Sequence, residues 1–287
     1  MTIIGAGYTI TPLENGGQKQ VFHITDGGDH DEVLKFVKIE EFDEDEEEII
    51  VPLSSDEERT RREVRLMSSV TSLYLPTLGT IGLREYSKGG LKYLVFSELY
   101  IGDKSVKDLI REGFFNNVPR VKALAHDIAN ALVVYSNFED GFVHRDIKPG
   151  NVVYSSTTDK FVLIDSGIHL LPSSPTITSS HAFLGTQKYA SPEQLTQGRR
   201  FMDSRSDLFS LGVLLYEAAA GVHPFYKRGQ SVDIGLENHI NAVFDPIPAT
   251  SEMHAFTPIL ERMLTKHAHT RYTTPEDLLL DIEGVEG

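Results

Sequence analysis

His144-Arg145-Asp146-Ile147-Lys148-Pro149-Gly150-Asn151 is the stretch on which the reading of this chain turns. A carboxylate at Asp146 can accept a hydroxyl proton or aim a hydroxyl for in-line attack. An ammonium at Lys148, two residues on, can offset negative charge on a transferring group. The amide oxygen of Asn151, five residues on, can ligate a hard cation such as magnesium. A polar turn would be the plain alternative, and eight residues in this order and spacing weigh against it.

Downstream, Asp165-Ser166-Gly167 follows Asn151 by fourteen residues, behind the strand-like run Phe161-Val162-Leu163-Ile164. On its own such a triplet is a turn. Farther on stand Gly185-Thr186-Gln187-Lys188-Tyr189-Ala190-Ser191-Pro192-Glu193 and Ser206-Asp207-Leu208-Phe209-Ser210-Leu211-Gly212. Leu208–Ala220 is apolar nearly all round and stops at Gly221, which predicts a buried helix. Thr274-Pro275-Glu276 starts a last helix that Gly284 can close. Upstream, Pro119 suits a first helical turn, and Val121, Leu124, Ala125, Ile128, Leu132 and Tyr135 then keep a helical period.

The N-terminal third has a different texture. Gln20–Ile24 and Glu32–Val37 are short and β-rich, with Asp26-Gly27-Gly28 as the turn between them. The acidic run from Glu40 to Glu48 reads as a solvated loop. Ser55 and Glu58 form a capping box for a helix that puts Glu63, Leu66, Met67 and Val70 on one face. Glu63 is thus a carboxylate on an apolar stripe, and it needs a cationic partner. Thr77–Leu83 and Leu91–Leu99 read as further strands. Strands with one helix, then mostly helices, predict two lobes with a junction near residues 98–103, a common place for a ligand cleft.

Composition sets outer bounds. The chain has 287 residues, 40% hydrophobic and 24% charged, which is ordinary for a soluble globular protein. No cysteine is present, which excludes disulfides, zinc–thiolate sites and cysteine nucleophiles. A net charge of −15 argues against broad affinity for nucleic acid or anionic membrane. No signal peptide or membrane-spanning run is visible, so the expected setting is cytoplasmic.

The motifs together resemble the eukaryotic-like (Hanks-type) serine/threonine protein kinases, from about Tyr8 to Ile282. His144–Asn151 matches H-R-D-x-x-x-x-N, and the resemblance makes Asp146 and Lys148 catalytic. Asp165-Ser166-Gly167 resembles D-F-G, which makes Asp165 and Asn151 the magnesium ligands, although Ser166 cannot supply the packing of the usual phenylalanine. Gly185–Glu193 is similar to the G-T-x-x-Y-x-A-P-E closing stretch, with Ser191 in place of alanine. Glu193 would pair with Arg271, and Asp207 would hold the catalytic-loop backbone. The implied fold is α+β and bilobal: a β-rich N-lobe over about 1–97, a hinge over about 98–102 and a mostly helical C-lobe over about 103–287.

The same resemblance implies ATP and Mg2+ as cofactors. Val33-Leu34-Lys35 is similar to the end of V-A-I-K, so Lys35 would bind the α- and β-phosphates and pair with Glu63. Lys38 is its rival and lies on the other face of an extended strand. Glu14–Val21 aligns with G-x-G-x-x-G-x-V when Val21 is the anchor. There Gly16 matches, Glu14 and Lys19 replace the other glycines, and Gly17 adds one nearby. With Val33, these residues would cover the nucleotide. Leu94–Tyr100 is similar to the strand entering the hinge, so the Glu98 carbonyl and Tyr100 amide would meet adenine, with Ser97 as a small gatekeeper.

Lys148 and Thr186 follow the Ser/Thr pattern rather than the tyrosine one, and Pro192-Glu193 favours a protein acceptor over a small molecule. Arg145 often binds a phosphate on the activation segment in such kinases. That segment, 165–193, carries Ser173, Ser174, Thr176, Thr178, Ser179 and Ser180, of which Thr178, Ser179 and Ser180 lie nearest Gly185-Thr186. Autophosphorylation there is the expectation. A pseudokinase, suggested by the irregular glycine loop and Ser166, and a small-molecule kinase stay open.

Overall fold

A computed structural model of the chain describes residues 7–15, 19–41, 55–102, 104–165, 187–196 and 202–286. The described chain forms two compact units, one ending at Ile101 and the other beginning at Gly102.

Among the described residues, the first unit is a five-stranded antiparallel sheet with one helix. Strands β1 (Thr9–Asn15), β2 (Lys19–Thr25), β3 (Asp31–Glu41), β4 (Arg84–Lys88) and β5 (Leu91–Leu99) lie in the order β1-β2-β3-β5-β4. The β2–β3 turn is set by Asp26, whose Oδ1 accepts from the amides of Gly28 at 2.8 Å and His30 at 3.2 Å. Gly89 and Gly90 join β4 to β5 as a two-residue hairpin with φ of 58° and 70°, a conformation that glycine adopts without strain. Strand alternation sorts the side chains. Ile24, Leu34 and Val95, with Phe22, Phe36, Ile81, Tyr86 and Tyr93, pack on one face. Val21, Lys35 and Phe96 pair across β2, β3 and β5 on the other. Helix α1 (Ser55–Ser69) buries Glu63, Leu66 and Met67, as its period predicts, whereas Val70 falls just past its end and is half-buried.

One expected strand differs. Residues 77–83 precede β4 and run beside β5 with a single bridge, Leu78 to Glu98. The cause is a side chain inserted into the ladder. Ser97 Oγ accepts from the Ile81 amide at 2.9 Å and donates to Glu32 Oε2 at 2.5 Å. The other oxygen of Glu32 takes the Thr80 amide at 2.9 Å.

The second unit is mostly helical: α2 (Val106–Arg111), α3 (Val118–Asn137), the hairpin β6 (Val152–Ser155) and β7 (Lys160–Leu163), α4 (Pro192–Thr196), α5 (Ser204–Ala220), α6 (Val232–Asn241), α7 (Thr257–Met263) and α8 (Pro275–Glu283). Helix α3 packs on α5, α8 and β7, and its predicted stripe, Val121 to Tyr135, is buried. Asp203 caps α5, and Gly221 closes it in the left-handed conformation. A side chain at Gly212 would put its Cβ 2.9 Å from Met263 Cβ, so glycine lets α5 approach the end of α7. Thr274 and Asp277 form a capping box for α8. Among the described residues, no helix is long and apolar enough to cross a membrane.

Candidate active site

In the second unit the predicted loop is wired to α5. Asp207, in the first turn of α5, is buried, and its two carboxylate oxygens take the amides of His144 at 2.6 Å and Arg145 at 2.8 Å. This holds Arg145 at φ 71°, a conformation costly for a side-chain-bearing residue. Gln194 Nε2 adds a bond to the Arg145 carbonyl at 3.2 Å. The His144 ring accepts the Asp146 amide on Nδ1 at 3.3 Å, so its Nε2–H is the donor to the Ile164 carbonyl at 3.2 Å.

Asp146 sits at the centre of this loop. Lys148 Nζ donates to its Oδ2 at 2.7 Å. Asn151 Nδ2 donates to the same oxygen and to the Asp146 carbonyl, each at 2.8 Å. The amide nitrogen of Asn151 thus serves Asp146, which leaves its Oδ1 as the side-chain atom suited to a cation. The Ile164 amide donates to the Asn151 carbonyl at 2.9 Å and ties the loop to the residue before Asp165. Asp165 follows β7 with φ 58° and is partly exposed. Asn151 and Asp165 offer oxygen donors, the type a magnesium ion takes, so this donor set fits that metal.

The end of the closing stretch, residues 190–193, is buried. Arg271 grips Glu193 through two parallel bonds of 2.8 and 2.9 Å. Its guanidinium also donates to the carbonyls of Arg205, Thr265 and Lys266 and lies over the Phe209 ring. Burial pushes the Glu193 carboxyl upward, yet Arg271 and the Ser206 hydroxyl outweigh it and hold the group below its usual range. Ser191 explains its own departure from alanine: its Oγ accepts the Gln194 amide at 3.4 Å at the start of α4.

Two buried histidines missed by the sequence reading lie in this unit, and one of them holds the Lys188 backbone. His223 Nε2–H donates to the Lys188 carbonyl at 3.0 Å, and its Nδ1 accepts the amides of Phe225 at 3.1 Å and Tyr226 at 3.3 Å. Both nitrogens are occupied only in the neutral ring. Burial pushes His223 down to about 3, and it pushes His239, stacked on Phe225, down to about 4. Folded-state values below the unfolded 6.5 mean that the unfolded chain binds more protons, so stability falls as pH drops below 6.5. At pH 5 the expected loss is about 2 kcal/mol per histidine. Urea unfolding at pH 7 and pH 5 checks this; the difference should roughly halve in His239→Phe, and equal stability at both pH values would refute it.

In the first unit, β3 sorts the two rival lysines. Lys35 is 2% exposed, on the face it shares with Val21 and Phe96, whereas Lys38 is half-buried. Lys35 Nζ donates to Glu98 Oε1 at 2.5 Å and stands 5.6 Å from the Phe96 ring centre. Glu63 is buried on α1. The sequence reading missed Glu98 as a carboxylate for Lys35. The signal was available: Glu98 pairs with Val33, two residues from Lys35 on the same face.

Strand pairing corrects the hinge register by one residue. The Tyr100 amide donates to the Asp31 carbonyl at 2.9 Å, so it is not open to adenine. Alternation turns the Glu98 carbonyl to the same β3-facing side. Ser97 pairs with Leu34 and bonds Glu32, on the face opposite Lys35, so it is not a gatekeeper beside that lysine. Gly16, Gly17, Thr178, Ser179, Ser180 and Thr186 lie outside the described residues, as does the acidic run beyond Glu41.

Comparison with known proteins places the chain in a family. The family model for the protein kinase domain matches residues 11–280. A probable serine/threonine-protein kinase of Clostridium acetobutylicum is 29% identical over 249 residues, covering 86% of this chain and 35% of that protein. The serine/threonine-protein kinase PknB of Mycobacterium tuberculosis is 30% identical over 233 residues, covering 78% of this chain and 35% of that protein. The chain thus spans about a third of the length of these relatives. With the match over residues 11–280 and the Asp207-held loop at its centre, the chain belongs to the protein kinase domain family.

Proposed function

We propose that this chain is a protein serine/threonine kinase that transfers the γ-phosphate of ATP to hydroxyls on proteins. The observation that carries this reading is the wiring of the catalytic loop, with Lys148 and Asn151 both on Asp146 Oδ2 and the backbone held by Asp207. In this reading the acceptor oxygen attacks the γ-phosphorus as the bond to the β–γ bridging oxygen breaks. The hydroxyl proton passes to Asp146, and Lys148 offsets charge on the transferring group. Asn151 and Asp165 would hold magnesium, which neutralises phosphate charge when bound. Lys35 would meet the α- and β-phosphates, and Glu63 is proposed as a carboxylate partner on α1. With the register moved by one, the Leu99 carbonyl and Ile101 amide become the proposed adenine contacts.

Serine and threonine are favoured as acceptors by Lys148 and by the names of the similar kinases. Autophosphorylation of the hydroxyl-rich run at 173–180, read out through Arg145, belongs to the same proposal, as does the reducing, cytoplasmic setting suggested by the lack of cysteine. The test is turnover of MgATP with a generic basic protein and with metabolite acceptors in parallel. Transfer to the protein alone is the expected result; transfer to metabolites alone would replace this reading. Lys35→Met should abolish that transfer and Lys38→Met should keep most of it, measured by initial rates. The reverse ranking would assign the phosphate contact to Lys38.

A further inference from the structure

The Lys35–Glu98 pair lies within one sheet. Both residues sit on neighbouring strands, β3 and β5, whose register is fixed by continuous pairing from Glu32–Leu99 to Lys38–Tyr93. Lys35 stands opposite Phe96 and Val33 opposite Glu98, so Glu98 is the diagonal neighbour of Lys35 on one face. Both side chains are nearly inaccessible, at 2% and 4%. A buried ammonium needs a counter-charge in fixed geometry, and a strand supplies one without depending on the placement of any helix. The residue just ahead of the proposed hinge carbonyl becomes Glu98, where the sequence reading had placed the small Ser97.

We propose that Glu98 is a positioning residue for phosphoryl transfer: a charged gatekeeper that anchors Lys35 from within the sheet and sets how the ammonium is presented to ATP. This rests on the kinase reading above for the identity of the ligand. The pairing itself does not. Lys35 has three donors, so it can keep Glu98 while engaging phosphate oxygens and a further carboxylate. Glu98 also puts a carboxylate wall beside the nucleotide where an uncharged side chain would otherwise stand.

The experiment has two arms on the full chain. In the first, steady-state kinetics with MgATP compare wild type, Glu98→Gln, Glu98→Asp and Glu63→Gln. Glu98→Gln should lower kcat/KM for MgATP at least tenfold, Glu98→Asp should recover part of the loss, and Glu98→Gln should lose at least as much as Glu63→Gln. In the second, thermal unfolding compares Lys35→Met with Lys35→Met/Glu98→Met. The double variant should melt higher, because the single one leaves Glu98 buried without its cation. Wild-type kcat/KM in Glu98→Gln, or a double variant no more stable than Lys35→Met, would overturn the inference. Absence of any ATP turnover in the wild type would instead sink the kinase reading, and the unfolding arm would still decide the pair.

Discussion

Asp146→Asn is expected to lower kcat for phosphoryl transfer by about 10²–10⁴-fold, the range in which a positioned general base contributes. The side chains are nearly the same size, and the loop does not depend on the Asp146 charge for its shape. Its backbone is held at His144 and Arg145 by Asp207, and Asn151 Nδ2 also bonds the Asp146 carbonyl. An amide oxygen at position 146 can still accept from Lys148 or Asn151. Lost is the carboxylate proposed to take the hydroxyl proton and aim the oxygen. The KM for ATP and the melting temperature should therefore stay near wild type. Near-wild-type kcat would remove Asp146 from the chemical step, and a collapse in melting temperature would make its role structural.

Arg271→Met should destabilise the second unit by about 3–5 kcal/mol, the usual cost of leaving one partner of a buried ion pair alone. The guanidinium uses all its nitrogens, on Glu193 and on three backbone carbonyls. Its loss strands a buried carboxylate that the pair holds ionised, and it takes a donor from three part-buried backbone carbonyls. Adding Glu193→Gln should return part of the stability by removing the unpaired charge. Urea unfolding of wild type, single and double variants measures this. A loss under 1 kcal/mol in the single variant would mean that the pair is more hydrated than its burial implies.

The sequence made the second unit most legible. There, function and packing ask for the same residues at short range. His144 to Asn151 is one loop, Val121 to Tyr135 one helical stripe, and Asp207 lies in the first turn of a helix whose apolar run is plain. The first unit was harder, because its decisive facts are register facts. Which face Ser97 and Glu98 present depends on their partners on β3, and a shift of one residue exchanges the faces. The strand expected at 77–83 failed for a related reason: Glu32, nearly fifty residues earlier, takes the amide of Thr80 and the hydroxyl of Ser97. The neutral histidines at 223 and 239 carry no local signal, since their state follows from burial against α5, α6 and the stretch at Lys188.

The proposed function stands or falls on phosphoryl transfer to serine and threonine through the Asp207-held loop. The measurement that meets it most directly is phosphosite mapping by mass spectrometry, on a mixed protein substrate incubated with MgATP and either wild type or Asp146→Asn. Phosphoserine and phosphothreonine are expected with the wild type and almost none with Asp146→Asn. Equal phosphorylation by the two proteins, or modification of tyrosine alone, would contradict it.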